Sequence, residues 1–154
     1  MTTENLKKIK DIANDFFNRA GIIDFEIKNV EMGGDKSLHL DISIADASSY
    51  IGEQGRNIGV FEVALRLIIK KQTGEDVFFH LDINNYRSLK ETALRELAKK
   101  AAHRARFYKK AVALEAMSAY DRRVIHTELA PHPDIKTESV GEGKERRVVV
   151  KYIS

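Results

Sequence analysis

Two glycines three residues apart, Gly52 and Gly55, enclose Glu53 and Gln54 and are followed by Arg56. Glycine lets the backbone turn tightly, and without Cβ atoms a phosphate can approach the chain closely. A helix that opens just after such a turn offers unbonded N–H groups and the positive end of its dipole, so the arrangement suits an anion. The pattern by itself is common and often a plain turn. Its weight comes from its place between two helical segments and beside strands. Arg122 and His126 lie four residues apart and share a face if that stretch is helical. A guanidinium is a fixed fork for phosphate or base, and an imidazole is a planar ring that stacks or donates. Such pairs are also frequent on solvated helices. The third group is Lys99, Lys100, Arg104, Arg106, Lys109 and Lys110. These are dense enough that several must point outward on any helical rotation, as a phosphate-tracking face requires; a plain solvated face is the competing reading.

General acid–base chemistry is the rival use of such residues. His80, His103, His126 and His132 are available, but no two have a spacing that would fix them about one scissile phosphate. No carboxylate cluster suggests Mg²⁺. His80 reads as an ordinary strand residue, His103 as a helix-surface residue, and His132 lies between Pro131 and Pro133. With no cysteine in the chain, neither a disulfide framework nor a Cys-based zinc site is available. No catalytic residue, metal or cofactor is expected. Tyr86, Phe107, Tyr108 and Tyr120 lie near basic residues and could stack bases. Helical spacing assigns Phe107 and Tyr120 to the core and leaves Tyr108 open.

The elements that must position these groups follow from hydrophobic period. Leu6, Ile9, Ile12, Ala13, Phe16, Phe17 and Ala20 keep helical spacing, with Gly21 placed to end the helix. Phe25 and Ile27 begin a strand, Met32-Gly33-Gly34-Asp35 supplies a turn through glycine's positive φ, and Leu38, Leu40, Ile42 and Ile44 alternate as a second strand. After the glycine turn, Ile58, Phe61, Ala64, Leu65 and Ile68 predict a helix that Gly74 ends, and Val77, Phe79, Leu81 and Ile83 a third strand. Asn84 or Asn85 can cap a long helix from about Tyr86 to about Leu114, with Leu89, Leu94, Leu97, Ala98, Ala101 and Ala105 on its buried side. Ser118, with Asp121 three residues on, is a variant capping box for the next helix. The prolines stop that helix, and Ile135–Val140 and Arg146–Ile153 read as two strands.

The chain has 154 residues and a net charge of +3, but the charge is divided. Residues 1–83 hold 10 Lys and Arg against 14 Asp and Glu, while residues 84–154 hold 16 against 9. Nine of those 16 lie between Arg87 and Lys110, opposed only by Glu91 and Glu96. A polyanion partner concentrated on the second half is implied. No apolar run approaches the roughly 20 residues of a membrane span, and the first ten residues lack a secretory apolar stretch. A cytoplasmic protein with no membrane segment is expected.

The order helix, strand, strand, short helix, Gly-x-x-Gly turn, helix, strand resembles the type II KH domain, αββααβ. In that family the loop clamps the backbone of about four nucleotides, and bases lie in an apolar groove beside the post-loop helix. KH loops usually carry a basic residue between the glycines. Here Glu53 and Gln54 stand there, with Arg56 just outside. In the second half, Met117–His126, Lys136-Thr137-Glu138-Ser139 and Arg146–Val150 resemble the R-three-H domain, which is named for an Arg and a His in the arrangement of Arg122 and His126 and binds single-stranded nucleic acid. A type II KH domain followed by an R-three-H domain resembles the Jag (SpoIIIJ-associated) family of bacterial RNA-binding proteins. The resemblance covers residues 22–153 and does not include the N-terminal Jag domain and linker usual there.

The expected fold class is therefore α+β, with a KH domain over residues 1–84 and an R-three-H domain over 85–154, joined by a long basic helix. The expected function is binding of single-stranded RNA, or single-stranded DNA, without catalysis. Gly52, Glu53, Gln54, Gly55, Arg56, Lys99, Lys100, Arg106, Arg122 and His126 form the expected site. The alternative is a protein-interaction adaptor that uses the KH fold to pair with a second KH protein or a second copy of itself.

Overall fold

A computed structural model describes residues 2–154, in two compact units, the first ending at Tyr86 and the second covering Arg87–Ser154. The first unit runs α1 (Thr3–Arg19), β1 (Phe25–Met32), β2 (Leu38–Ile44), α2 (Ser48–Ile51), a single 3₁₀ turn (Glu53–Gly55), α3 (Arg56–Thr73) and β3 (Phe79–Ile83). Thr2 caps α1 by accepting a hydrogen bond from the Asn5 N–H at 3.3 Å, and Gly74 closes α3 in the left-handed conformation. The sheet has β2 at its centre, antiparallel to β1 and parallel to β3. Leu38, Leu40, Ile42 and Ile44 of β2 are buried with Phe79, Leu81 and Ile83 of β3, and α1 covers them with Ile9, Ile12, Ala13 and Phe17. Each Leu, Ile or Phe among them contributes about 1.5–3 kcal/mol by leaving water. A helix-bearing crossover is what a parallel β2–β3 pair requires, and this one carries the glycine turn.

One local expectation for this unit is corrected, and of the two residues offered as a cap for the next helix one is engaged elsewhere. Neither Gly33 nor Gly34 takes the positive φ of the β1–β2 turn; Lys36 does, at 65°. Gly33 is required for space instead, since a Cβ there would stand 2.7 Å from the His39 ring. Asn84 directs its side chain to β2 rather than to the next helix. Its amide accepts from the Ile44 N–H at 2.8 Å and donates to the Ile44 carbonyl at 2.9 Å, extending the parallel ladder by one rung.

The second unit contains α4 (Tyr86–Tyr108, its first residue in the first unit), β4 (Val112–Ala113), α5 (Ala119–Leu129), β5 (Ile135–Val140), a 3₁₀ turn (Gly143–Glu145) and β6 (Arg147–Tyr152). Its sheet is antiparallel in the order β4-β6-β5. The predicted helix to Leu114 is too long. Lys109 turns left-handed, at φ 53°, and Val112 and Ala113 pair with Val150 and Val149 of β6. The expected buried face of α4 holds at Leu94, Ala98, Ala101 and Ala105 and gains Ala102, while Leu89, 65% exposed, and Leu97 lie outside it. Small side chains let the helix lie close to Ile125, Leu129, Val148 and Val150, which complete this core. Ser118 caps α5 as its sequence implies, accepting from the Asp121 N–H at 3.2 Å.

Candidate nucleic-acid interface

The Gly52–Arg56 turn joins α2 to α3, and its conformation explains its composition. Gly52 has φ 73°, Gln54 φ 53° and Gly55 φ 77°, so two of the three left-handed positions carry the residue that takes them without steric cost. Both glycines are also packed on the chain itself. A Cβ at Gly52 would stand 2.7 Å from the Asn57 side chain, and one at Gly55 2.6 Å from the Tyr86 ring. Asn57 is held there by donating to the Ser49 carbonyl at 2.8 Å. The N-terminus of α3 follows with no side-chain cap and no acidic residue in its first turn, and Glu53, Gln54 and Arg56 are exposed. An anion approaching here meets helix N–H groups and Arg56, with the Glu53 carboxylate beside them.

On α5, Arg122 and His126 are one turn apart, and His126 meets β5. The His126 Nδ1 lies 2.6 Å from the Thr137 hydroxyl and Nε2 2.9 Å from the Ser139 hydroxyl. Thr137 and Ser139 alternate on one side of β5, so a strand period of two meets a helix period of four at a single ring. Burial, and secondarily the Arg122 cation, lower the His126 pKa below its ordinary 6.5, so the ring is neutral at pH 7. A neutral imidazole donates from one nitrogen and accepts at the other, which two hydroxyls can satisfy. Arg122 donates from Nη1 to the Met117 carbonyl at 2.8 Å, and no acidic residue pairs with it among the described residues. The rest of its fork is directed by that anchor rather than consumed by it.

The basic face of α4 divides into committed and uncommitted cations. Arg106 grips Asp134 with two hydrogen bonds, at 2.5 and 2.8 Å, and this pair holds the Asp134 carboxyl down to about 2. Lys99 lies 3.3 Å from Glu96 and 3.7 Å from Glu128, which also takes Arg95 at 2.7 Å. Lys100, Arg104 and Lys110 are exposed and have no acidic partner among the described residues. Lys100 thus stands where an outward cation is expected, whereas Lys99 and Arg106 are occupied by neighbours on the same unit.

The aromatic side chains depart most from expectation. Phe107 is 72% exposed and Tyr120 62% exposed, so neither belongs to the core. Tyr86 packs against the first unit's core. The alanine stripe of α4 was the signal available for Phe107, because a residue two positions past Ala105 falls on the opposite side of the helix. Among the described residues no group of His, Asp and Glu could hold a metal ion, and no helix is long and apolar enough to cross a membrane.

Residues 92–152 match the family model of the R-three-H domain, which covers α4 from its second turn through β6. The second unit is accordingly an R-three-H domain, and Arg122 and His126 lie within the matched span. RNA-binding protein KhpB of Clostridium symbiosum is 29% identical over 136 residues, which is 88% of this chain and 60% of that protein. RNA-binding protein KhpB of Bacillus subtilis is 30% identical over 119 residues, 76% of this chain and 57% of that protein. The chain thus spans 60% or less of the length of these relatives. The likeness to these KhpB proteins extends beyond the R-three-H domain into the first unit, since it covers 88% and 76% of this chain.

Proposed function

We propose that the chain binds single-stranded nucleic acid, RNA in preference to DNA, and performs no catalysis. The observation that carries this reading is the set of uncommitted cations in the R-three-H unit. Lys100 and Arg104 on α4, Lys110 just beyond its end, and Arg122 and Arg123 on α5 lack acidic partners among the described residues. Cations held without counter-charges are what a phosphate backbone fits, and they give affinity without fixing sequence. The names of the curated relatives, each an RNA-binding protein, support RNA as the ligand. Arg122 supplies the directed fork. His126 holds α5 on β5, and through Thr137 and Ser139 presents hydroxyls beside it.

The first unit supports the same reading more weakly. Its order α1, β1, β2, α2, α3, β3, with the glycine turn between α2 and α3, is that of a type II KH domain. Arg56 and the open N-terminus of α3 suit one phosphate, and Glu53 opposes it. The decisive measurement is anisotropy of a labelled single-stranded RNA titrated with the intact chain and with Arg122→Ala. A loss of about tenfold or more in the variant, with an unchanged melting temperature, is expected from the removal of charge-assisted hydrogen bonds. Equal affinity of a folded Arg122→Ala would remove the R-three-H pair from the mechanism.

A second reading, an adaptor that docks protein on the first unit, is favoured by one observation. Val60, Val63 and Leu67 are exposed along one side of α3 at i, i+3 and i+7. Sedimentation without nucleic acid separates the two: concentration-dependent dimers abolished by Val63→Lys would support the adaptor, and a monomer would oppose a homodimer.

A further inference from the structure

The alanine stripe fixes which way α4 faces. With Ala98, Ala101, Ala102 and Ala105 inward, Lys100, His103, Arg104 and Phe107 occupy the opposite side at i, i+3, i+4 and i+7. Phe107 and Tyr108 are 72% and 62% exposed, an unusual position for two adjacent large rings in a helix whose core side is alanine. The rings are ordered against one another. His103 and Phe107 lie nearly parallel, 21° apart with centroids at 6.5 Å, and Phe107 meets Tyr108 edge-on at 4.9 Å and 82°. Exposed Lys100 and Arg104 flank this cluster, and Lys110 follows it. Lys109 is drawn away, its ammonium 3.5 Å from the centre of the Tyr152 ring.

We propose that this face is a stacking platform for an unpaired nucleobase, with Phe107 carrying the base and Lys100 and Arg104 holding the flanking phosphates. The proposal rests on the single-strand-binding reading above and names which part of the ligand the aromatic residues take. Charge complementarity selects the occupant. A second copy of the chain would set the same cations against these, whereas a single strand alternates an apolar π-face with an anion at short intervals. The helix adds a polarity of its own. Its C-terminal end carries partial negative charge, which disfavours a phosphate beside Phe107 and Tyr108 but not an uncharged base. The cations one turn earlier take the phosphate. Ring and cation thus sit in the order that a base and its backbone need.

The chain contains no tryptophan, so Phe107→Trp installs a unique fluorescent reporter at an exposed position. Titration of this variant with a single-stranded oligonucleotide of about 12 nucleotides is expected to quench the indole, and an abasic oligomer of equal length and charge to leave it unquenched. Phe107→Ala is expected to weaken binding of the base-containing strand about 5- to 150-fold and to leave the abasic strand unaffected. Lys100→Glu with Arg104→Glu should weaken both. If the wild-type chain binds the strand and Phe107→Ala binds it equally well, the platform is overturned while the broader reading stands. If the wild-type chain binds no strand at low salt, both fall. A Phe107→Ala variant that changes self-association instead of strand affinity would make the face a protein contact and overturn the platform.

Discussion

Among single residues, His126 makes a tie between α5 and β5 that can be tested apart from any ligand. Both ring nitrogens are spent on Thr137 and Ser139, and its neutral form is favoured by burial and by Arg122. In the unfolded chain the imidazole takes up a proton near 6.5, before the folded one does. Its contribution to stability is therefore complete above about pH 6.5 and declines as pH falls from there through the lowered folded value. Urea midpoints should drop between about pH 7 and pH 5.5 in the wild-type chain. His126→Gln should lower the midpoint at pH 7 and flatten that decline, and an equally steep decline in the variant would assign it to another group. Gly55 makes a separate residue-level case. Gly55→Ala should cost about 1–2 kcal/mol for the left-handed conformation, and more for displacing Tyr86, whose ring stands where the new Cβ would go. A thermal melt no lower than wild type would mean the turn relaxes. Because of that strain, replacing both glycines is a poor test of phosphate binding. Glu53→Lys, at an exposed position with negative φ, is the better one, and a strand held at α3 should then bind more tightly.

Among the elements, what was legible in the sequence depended on whether one period governed a stretch. β2 and β3 alternate strictly between apolar and polar residues and are buried on the alternate positions, so pattern and structure agree residue by residue. The Ser118 cap is a local interaction and was equally readable. α4 was harder because two stripes compete on it. Leu89 and Leu97 suggest one buried face and the alanines with Leu94 another, and close approach to Val148 and Val150 favours the small residues. A helix rotated to bury those two leucines would turn Phe107 inward; the alanines turn it out. The helix end was hidden because no glycine marks it; Lys109 adopts the left-handed turn instead. Pairing of Arg106 with Asp134, 28 residues on, is invisible to any local pattern. This last contact leads to a prediction that separates structural from binding cations. Both partners are about a third exposed, so water screens the pair and its contribution to stability should be small. The contribution is present above the carboxyl's ordinary value near 4 and is lost as pH falls through about 2, where Asp134 titrates in the fold. Arg106→Ala should lower the melting temperature slightly at pH 7, and Lys100→Ala should weaken strand binding with no change in melting. The reverse pattern would exchange their roles.

Across the whole chain, the division of charge found in the sequence coincides with the division into units. The first unit is net acidic, and the second carries the excess that makes the chain +3. Long-range attraction to a polyanion must then come from the second unit, while the first contributes through local geometry or not at all. Salt is the lever that reads this. Each phosphate neutralised on a single strand adds about −0.7 to the log–log slope of affinity against salt. The uncommitted cations of the second unit make three to five simultaneous contacts reasonable, which corresponds to a slope between about −2 and −3.5. Lys100→Glu, Arg104→Glu and Lys110→Glu together should flatten the slope by about 2 and weaken binding to unrelated sequences equally, since phosphate contacts carry no base information. Reversal of Lys99, which already lies beside Glu96 and Glu128, should flatten it less than reversal of Lys100. Affinity that is indifferent to salt would show that the strand is not held by these cations. Absence of binding to every oligonucleotide at low salt would leave the exposed apolar side of α3, and with it the adaptor, as the better account of the molecule.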